Sequence, residues 1–300
     1  MKQRNIGQSN ISVSEIGLGA MSLLPGNDLT NQYIIDQGTE VGINYVDTSD
    51  LYDQGKNEEL LGKLLKSRRK EWIIGSKVGN RWREDGSGWD WVPSKAYLIS
   101  AVEGSLKRLQ TDYLDLYQLH GGMIEDPIDE IIEAFELLKD QGKILEYGLS
   151  SIRPQVFKLY AARSAMQSNM MQFSLIDRRP EEYLDFLEGH QISVFARGTL
   201  GQGLLIDKIA KNYLDQSVTA IISLQEKLKE LANSFGVSPL ALAINYPLIH
   251  QTVCSSIVGV RNKEQMKKLV IAIDELNKIP ENAYSELLAG IAIQTYKDYR

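Results

Sequence analysis

The chain has few of the residues that build disulfides and metal centres. Of its 300 residues, one is cysteine and three are histidine. Cys254 has no partner for a disulfide within the chain, and His120, His190 and His250 are too scattered to form a zinc-ligand pattern. We therefore predict no metal site, and we interpret Cys254 as a small apolar residue entering a strand.

Long apolar runs and an excess of basic charge are also missing. No run approaches the roughly 18 residues that cross a bilayer, and the opening residues, MKQRN, lead into no apolar signal segment. The 33 Lys and Arg are outnumbered by 39 Asp and Glu, so the net charge is −6. These features predict a cytoplasmic protein without nucleic-acid or membrane partners, in which an anionic ligand is held by a local basic site.

Short apolar runs alternate with longer segments of helical period, and no linker rich in proline or serine divides them. Runs at residues 4–6 and 11–13 flank a segment of turn composition and predict a hairpin. Eight further strands are predicted at residues 15–19, 44–47, 72–77, 114–119, 146–149, 170–172, 192–196 and 255–258.

Helical patterns separate these strands. Asp126 and Pro127 begin one helix and Gly142 ends it, and others cover residues 95–109, 221–231 and 239–249. Eight such units favour one α/β domain over residues 1–300, a (β/α)8 TIM barrel with an N-terminal hairpin cap and extra C-terminal helices. An open doubly wound sheet is the alternative, although residues 17–22 carry only two of the three glycines of its dinucleotide fingerprint.

Polar residues follow several of the predicted strands. Asp47, Lys77 and His120 end the second, third and fourth strands, and a barrel brings these ends to one rim. Each has an ordinary structural explanation as a turn cap or a solvated strand end. Together they favour a site, because an ammonium at the barrel mouth calls for a carboxylate partner. Tyr52 follows on the same loop, and a neighbouring cation makes a tyrosine hydroxyl a practical proton donor.

Seven segments then carry a longer pattern in order. They are NYVDTSDLY (44–52), NEELLG (57–62), IIGSK (73–77), DYLDLYQLH (112–120), YGLSS (147–151), LGQGLL (200–205) and IVGVR (257–261). This pattern resembles the aldo-keto reductase family, of the bacterial NADP-dependent type, over nearly the whole chain. The resemblance implies a (β/α)8 barrel that binds NADPH at its top and reduces aldehydes or ketones, with a small-molecule carbonyl compound as substrate.

By this resemblance, Tyr52 would protonate the carbonyl oxygen as the nicotinamide delivers hydride to its carbon. Lys77, paired with Asp47, would assist Tyr52, and His120 would orient the carbonyl. Two alternatives stay open. One is a slow-turnover nicotinamide-binding redox sensor or accessory protein, and the other is a barrel aldolase or isomerase that uses Lys77 as a Schiff-base amine.

The resemblance also implies an NADP(H) site along the rim. In this site Ser150 and Gln172 would hold the carboxamide, and the loop after the eighth strand would surround the adenosine end. The expected cofactor-binding residues are Ala20, Met21, Ser150, Ser151, Gln172, Arg197, Gly198, Leu200, Gln202, Gly203, Gly259, Arg261 and Gln265. The basic run Arg261, Lys263, Lys267 and Lys268 beside a predicted helix start favours NADP over NAD.

Several positions depart from the family pattern. Ser151 stands where asparagine is usual, Leu269 stands in place of the adenine-contacting asparagine, and Gly121 and Gly122 replace a frequent Trp-Pro. Arg197 replaces an aromatic residue that stacks on the nicotinamide, and a guanidinium plane can also stack. The loop at 78–91 holds three of the four tryptophans, which either anchor the loop or line a substrate pocket.

Overall fold

Strands and helices alternate along the chain. The structure, a computed structural model, describes residues 1–289 and 293–297. The strands of this part are β1 (Gln3–Asn5), β2 (Ser12–Ser14), β3 (Ile16–Gly19), β4 (Tyr45–Asp47), β5 (Ile73–Val78), β6 (Asn80–Trp82), β7 (Trp89–Trp91), β8 (Leu114–Leu119), β9 (Ile144–Leu149), β10 (Ser168–Gln172), β11 (Ser193–Arg197) and β12 (Val253–Val258). The helices are α1 (Asp28–Glu40), α2 (Lys56–Leu65), α3 (Lys95–Leu109), α4 (Ile128–Asp140), α5 (Pro154–Arg163), α6 (Glu181–Gly189), α7 (Val218–Phe235), α8 (Pro239–Asn245), α9 (Lys263–Glu275) and α10 (Ser285–Ala289). Within the same residues, no helix has both the length and the apolar content of a membrane span.

Eight strands close into a barrel in chain order. They are β3, β4, β5, β8, β9, β10, β11 and β12, and each pairs in parallel with its neighbours. Helices supply the crossovers that parallel pairing requires, and α7 and α8 share the last crossover. The predicted TIM barrel with its N-terminal hairpin is therefore confirmed, and α9 and α10 follow the last strand. The predicted single domain stays a prediction, since residues 290–292 and 298–300 lie outside the described residues.

The predicted elements differ from the observed ones at a few points. All eight barrel strands are present, with ends shifted by at most two residues. The helix predicted at 239–249 is wrong at its end: α8 stops at Asn245 and a 3-10 turn follows, because Pro247 has no N–H to continue the helix. The sequence pattern also missed β6 and β7, which form an antiparallel hairpin in the tryptophan-rich loop.

The barrel interior is packed with side chains from alternating strand positions. The Tyr45 ring lies 4.6 Å from the Phe195 ring across this interior. Ile6 and Val13 of the N-terminal hairpin belong to the same cluster, so the hairpin covers the lower end of the barrel. Cys254 is buried in this cluster on β12, as expected for a packing residue. The polar site must therefore lie at the opposite end.

Arg4 fastens the hairpin to the barrel. Its guanidinium donates to Glu15 Oε1 at 2.8 and 3.0 Å. It also donates to the backbone oxygens of Leu248, His250 and Val253 at 2.8–3.0 Å. These carbonyls lie just before and at the start of β12, so one side chain joins the first and last parts of the barrel.

We predict that Arg4→Ala lowers the free energy of unfolding by about 2–4 kcal/mol, because several charge-assisted hydrogen bonds are lost and Glu15 is left buried without its cation. Urea denaturation followed by circular dichroism measures this. Arg163→Ala is the matched control: its ion pair with Asp129 is largely exposed and should contribute at most about 1 kcal/mol. Equal stability of the two variants would contradict the role of Arg4.

Candidate active site

Four polar side chains meet at the carboxyl ends of the barrel strands. Asp47 is the last residue of β4, Lys77 lies near the end of β5, and His120 directly follows β8. Tyr52 begins a 3-10 turn on the loop after β4. All four line one cavity of 1270 Å³. The fold thus brings together the four residues that the sequence singled out.

The Lys77 ammonium is held in place by three neighbours. Nζ donates to Asp47 Oδ1 and Oδ2 at 2.6 and 2.7 Å, and to the backbone oxygen of Thr48 at 2.8 Å. It lies 3.4 Å from the Tyr52 hydroxyl oxygen. An ammonium has three hydrogens, and Asp47, Thr48 and Tyr52 accept all of them. The Tyr52 hydroxyl accepts from Lys77, so its own hydrogen is free to be donated into the cavity.

Lys77 is charged in this setting. Burial acts to lower its pKa, but the Asp47 carboxylate and Tyr52 outweigh burial and raise the pKa above the usual value. A Schiff base requires a neutral amine with a free lone pair. The hypothesis of a Lys77 aldolase or isomerase therefore has no support from the geometry.

His120 is neutral and faces the same cavity. Burial, followed by the charges of Lys77 and Arg197, lowers the pKa of His120 to about 3. Its Nδ1 lies 3.1 Å from Ser49 Oγ. Its ring meets the Tyr52 ring edge-on with centroids 6.0 Å apart. A neutral imidazole carries one hydrogen, so it can donate one hydrogen bond to a ligand.

The cavity continues from these residues to the N-terminus of α9. Asn262 caps this helix by accepting the Gln265 N–H at 2.9 Å, and Gln265 Oε1 accepts the Arg261 N–H at 2.9 Å. Arg261 and Lys268 line the cavity, and both are exposed. A helix N-terminus with two cations is an anion-binding environment. Lys263 instead lies over the Tyr33 ring, on a different side.

The comparison with protein families agrees with this geometry. The model of the "Aldo/keto reductase family" matches residues 15–288. The chain belongs to the aldo/keto reductase family. It is thus an oxidoreductase of a family that acts on carbonyl groups with a nicotinamide cofactor.

Known proteins match this chain over all or most of its length. The chain is 45% identical to the "Uncharacterized oxidoreductase YqkF" of Bacillus subtilis, with 100% of both chains covered. It is 26% identical to an "NADH-specific methylglyoxal reductase" of Escherichia coli, over 91% of this chain and 94% of the other. Among solved structures, the holo form of the aldo-keto reductase AKR11C1 from Bacillus halodurans matches with 42% identity and a TM-score of 0.89, over 100% of this chain and 99% of the other.

Most cofactor-binding residues expected for an aldo/keto reductase line the cavity. They are Met21, Ser150, Ser151, Arg197, Gly198, Leu200, Gln202, Gly203, Gly259, Arg261 and Gln265. Two expected residues are not on its wall. Ala20 is buried, and its backbone oxygen accepts from Asn57 Nδ2 at 2.7 Å. The Gln172 side chain packs against Gly198, and its amide bonds to Arg197 on the cavity wall and to Tyr213.

The residues that depart from the aldo/keto reductase pattern have distinct surroundings. Arg197 is exposed at the cavity wall, and its Nη1 donates to Gln172 Oε1 at 3.3 Å. Ser151 is buried, and both its backbone N–H and its backbone oxygen bond to the Asn169 side chain. Leu269 on α9 is buried at the cavity wall, where its side chain offers only apolar contact. The Arg197 guanidinium is thus hydrogen-bonded to the same Gln172 amide to which the family resemblance assigns the carboxamide.

The structure also adds residues that the sequence did not single out. Tyr213 accepts a hydrogen bond from Gln172 Nε2 at 2.8 Å, and Lys208 and residues 295–297 complete one cavity wall. Two of the three tryptophans of the β6–β7 hairpin anchor it, whereas Trp89 is exposed. Trp82 donates to the backbone oxygen of Leu51 at 3.0 Å, and Trp91 donates to Asp126 Oδ1 at 2.8 Å.

We predict that Lys77→Met lowers the free energy of unfolding by about 3–5 kcal/mol, because it leaves the Asp47 carboxylate buried without a counter-charge. Urea denaturation measures the loss. The double variant Asp47→Asn/Lys77→Met removes the uncompensated charge and should recover part of the stability. A single variant that unfolds at the same urea concentration as the wild type would show that the pair is not electrostatically coupled.

Proposed function

We propose that this protein is an enzyme that reduces aldehydes or ketones to alcohols with NADPH, and that Asp47, Tyr52, Lys77 and His120 are its catalytic residues. The observation that carries this proposal is the setting of the Tyr52 hydroxyl. It accepts a hydrogen bond from the Lys77 ammonium, so its own hydrogen is free to be donated into the cavity that Tyr52 lines. Proton donors placed in this way suit protonation of a carbonyl oxygen.

Each of the four residues has a separate task. Tyr52 donates its proton to the carbonyl oxygen, and the resulting phenolate is stabilised by the Lys77 ammonium 3.4 Å away. Asp47 keeps Lys77 charged and in position. His120, as a neutral donor, orients the carbonyl oxygen. When bound, the nicotinamide supplies the hydride that reduces the carbonyl carbon.

The cavity suits a dinucleotide phosphate. It joins the Tyr52 region to the N-terminus of α9 through the Gly198–Gly203 loop, and polar groups stand at both ends. Arg261 and Lys268 are local cations in a chain of net charge −6. They support NADP(H) over NAD(H), because the extra 2′-phosphate is the part that a cation pair would bind. A cytoplasmic location stays a prediction from the sequence.

We predict that Tyr52→Phe binds NADPH almost normally but loses carbonyl reduction by about 10²–10⁴-fold, since it removes the proton donor and little else. NADPH oxidation with a panel of aldehydes measures the loss. Tyr113→Phe, which alters a tyrosine stacked on Arg69 outside the cavity, is the matched control. Full activity of Tyr52→Phe would remove Tyr52 from this role. Binding of NADPH without turnover of any aldehyde by the wild type would instead favour the redox-sensor alternative.

We predict that Arg261→Ala weakens NADPH binding about tenfold and leaves NADH binding nearly unchanged, because one charge-assisted contact to the 2′-phosphate is lost. Fluorescence titration of both nucleotides measures the difference. Lys263→Ala serves as the control from the same basic run, since Lys263 lies over Tyr33 and is not on the cavity wall. An equal loss for NADPH and NADH would mean that Arg261 does not distinguish them.

A further inference from the structure

The Ser49 hydroxyl lies between His120 and a buried carboxyl group. Ser49 Oγ is 3.1 Å from His120 Nδ1 and 3.3 Å from Asp50 Oδ1. It also accepts the Leu51 N–H at 3.1 Å, and the backbone oxygen of Lys77 is a more distant acceptor at 3.5 Å. Ser49 is fully buried. Three side chains therefore form one hydrogen-bonded chain that ends at His120 in the cavity.

Two arrangements let Ser49 bond to both His120 and Asp50, in which its one hydrogen goes to one of these side chains rather than to the more distant Lys77 oxygen. Ser49 Oγ has one hydrogen and two lone pairs, and the Leu51 N–H occupies one lone pair. In the first arrangement, Asp50 donates to Ser49 and Ser49 donates to His120 Nδ1. In the second, His120 Nδ1 donates to Ser49 and Ser49 donates to the Asp50 carboxylate. Since the imidazole is neutral, its hydrogen is on Nε2 in the first arrangement and on Nδ1 in the second.

The position of this hydrogen decides what His120 presents to a substrate. Nε2 is on the ring edge opposite Ser49, and within the described residues it has no hydrogen-bond partner. With hydrogen on Nε2, the ring donates to a carbonyl oxygen. With hydrogen on Nδ1, the ring offers that oxygen a lone pair, which repels it.

We propose that Ser49 is a positioning residue that sets the tautomer of His120, and that the protonation state of Asp50 reverses the direction of hydrogen bonding along the three side chains. The catalytic consequence rests on the proposed function, because it needs His120 to orient a carbonyl group. The tautomer of His120 does not depend on the proposed function.

The groups packed around Asp50 keep it protonated near neutral pH. Burial, and next the negative charge of Glu58 on α2, raise its pKa to about 8 against the opposing effects of Arg108 on α3 and the bonds from Ser49 and Leu51. Glu58 is fully buried and accepts from Arg108 Nε at 2.7 Å, so much of the Arg108 charge is directed to Glu58.

Asp50 also lines a second cavity, of 420 Å³, which opens to solvent beside β6 and α3. This opening gives the carboxyl group a path for proton exchange that bypasses the substrate cavity. Tyr97 and Tyr117 also face Asp50, and burial raises the pKa of both, so they stay neutral. The remaining charged groups on this wall are Arg81, Arg83 and Glu84.

The direction of the pH effect follows from these charges. Below about pH 8, Asp50 carries a hydrogen, the first arrangement holds and His120 donates to the carbonyl oxygen. Above that pH, Asp50 is a carboxylate, the second arrangement holds and carbonyl reduction declines. Burial, with the added charges of Lys77 and Arg197, holds the pKa of His120 at about 3, so the ring is neutral on both sides of this change.

Nitrogen-15 NMR of the full-length chain tests the tautomer without any turnover. Three histidines give a simple spectrum, and His120→Gln identifies the signals of His120. We expect the hydrogen on Nε2 at pH 6.5 and on Nδ1 at pH 9.5. Ser49→Ala should abolish this preference, and Ser49→Thr, which keeps the hydroxyl, should restore it. Asp50→Asn should give a tautomer that does not change with pH. A wild-type tautomer that is the same at both pH values, or unaltered by Ser49→Ala, would overturn the proposal.

Kinetics provide the second readout. With an aldehyde that the wild type reduces, Ser49→Ala should lower kcat about tenfold with little change in the KM for NADPH, as expected for one lost orienting hydrogen bond. Asp50→Asn should remove the decline near pH 8. Asp115→Asn, which neutralises another buried carboxyl group that is paired with Arg69, should keep the decline.

If the expected tautomers are observed but no carbonyl compound is reduced, the proposed function fails while the role of Ser49 stands. Normal turnover with a pH profile that Asp50→Asn leaves unaltered would overturn the role of Asp50.

Discussion

A lysine ammonium that is 1% exposed is held at the mouth of the barrel because four oxygens of three residues surround its hydrogens. Removing such a charge from water is costly, and only an excellent geometry offsets the cost. The barrel provides that geometry because β4 and β5 pair side by side, with Asp47 opposite Gly75. Lys77 follows Gly75 by two residues on β5, so its side chain can bond to Asp47 on the adjacent strand. The Tyr52 hydroxyl accepts a hydrogen bond from this ammonium, and the charge of the ammonium adds to burial in lowering the pKa of His120.

The loop after β4 concentrates the chemistry. Four polar residues fall within six positions here, and each has a different neighbour. Asp47 bonds to Lys77 and Ser49 contacts His120. Asp50 lies near Glu58, and Tyr52 faces the cavity. The backbone then turns through Asp53 and Gln54 at φ values of 49° and 56°, a left-handed conformation that non-glycine residues adopt at some cost. This tight turn brings the chain into α2 directly beyond Tyr52. Local backbone strain is therefore located directly beside Tyr52.

Much of the barrel and its four-residue site could be predicted because both depend on short-range sequence patterns. Buried parallel strands appear as apolar runs, and Asp47, Lys77 and His120 mark where such runs end. The hairpin of β6 and β7 was missed because a glycine-rich, tryptophan-rich segment carries no clear alternation. Tyr213 was missed for a different reason: its bond to Gln172 spans 41 residues between a loop and a strand end, and no spacing rule connects them.

Local electrostatics, rather than net charge, decides what each group in the cavity does. The chain is acidic overall, yet Lys77, Arg197, Arg261 and Lys268 give the cavity wall a positive character. In the proposed function that positive charge stabilises a developing phenolate and an anionic cofactor. Burial, together with the charges of Lys77 and Arg197, also lowers the pKa of His120 and keeps its ring neutral. A histidine kept neutral has to place its one hydrogen on one of two nitrogens. Because His120 is neutral, a neighbouring group has to determine which of its nitrogens carries the hydrogen. Ser49 is the side chain that contacts His120 Nδ1.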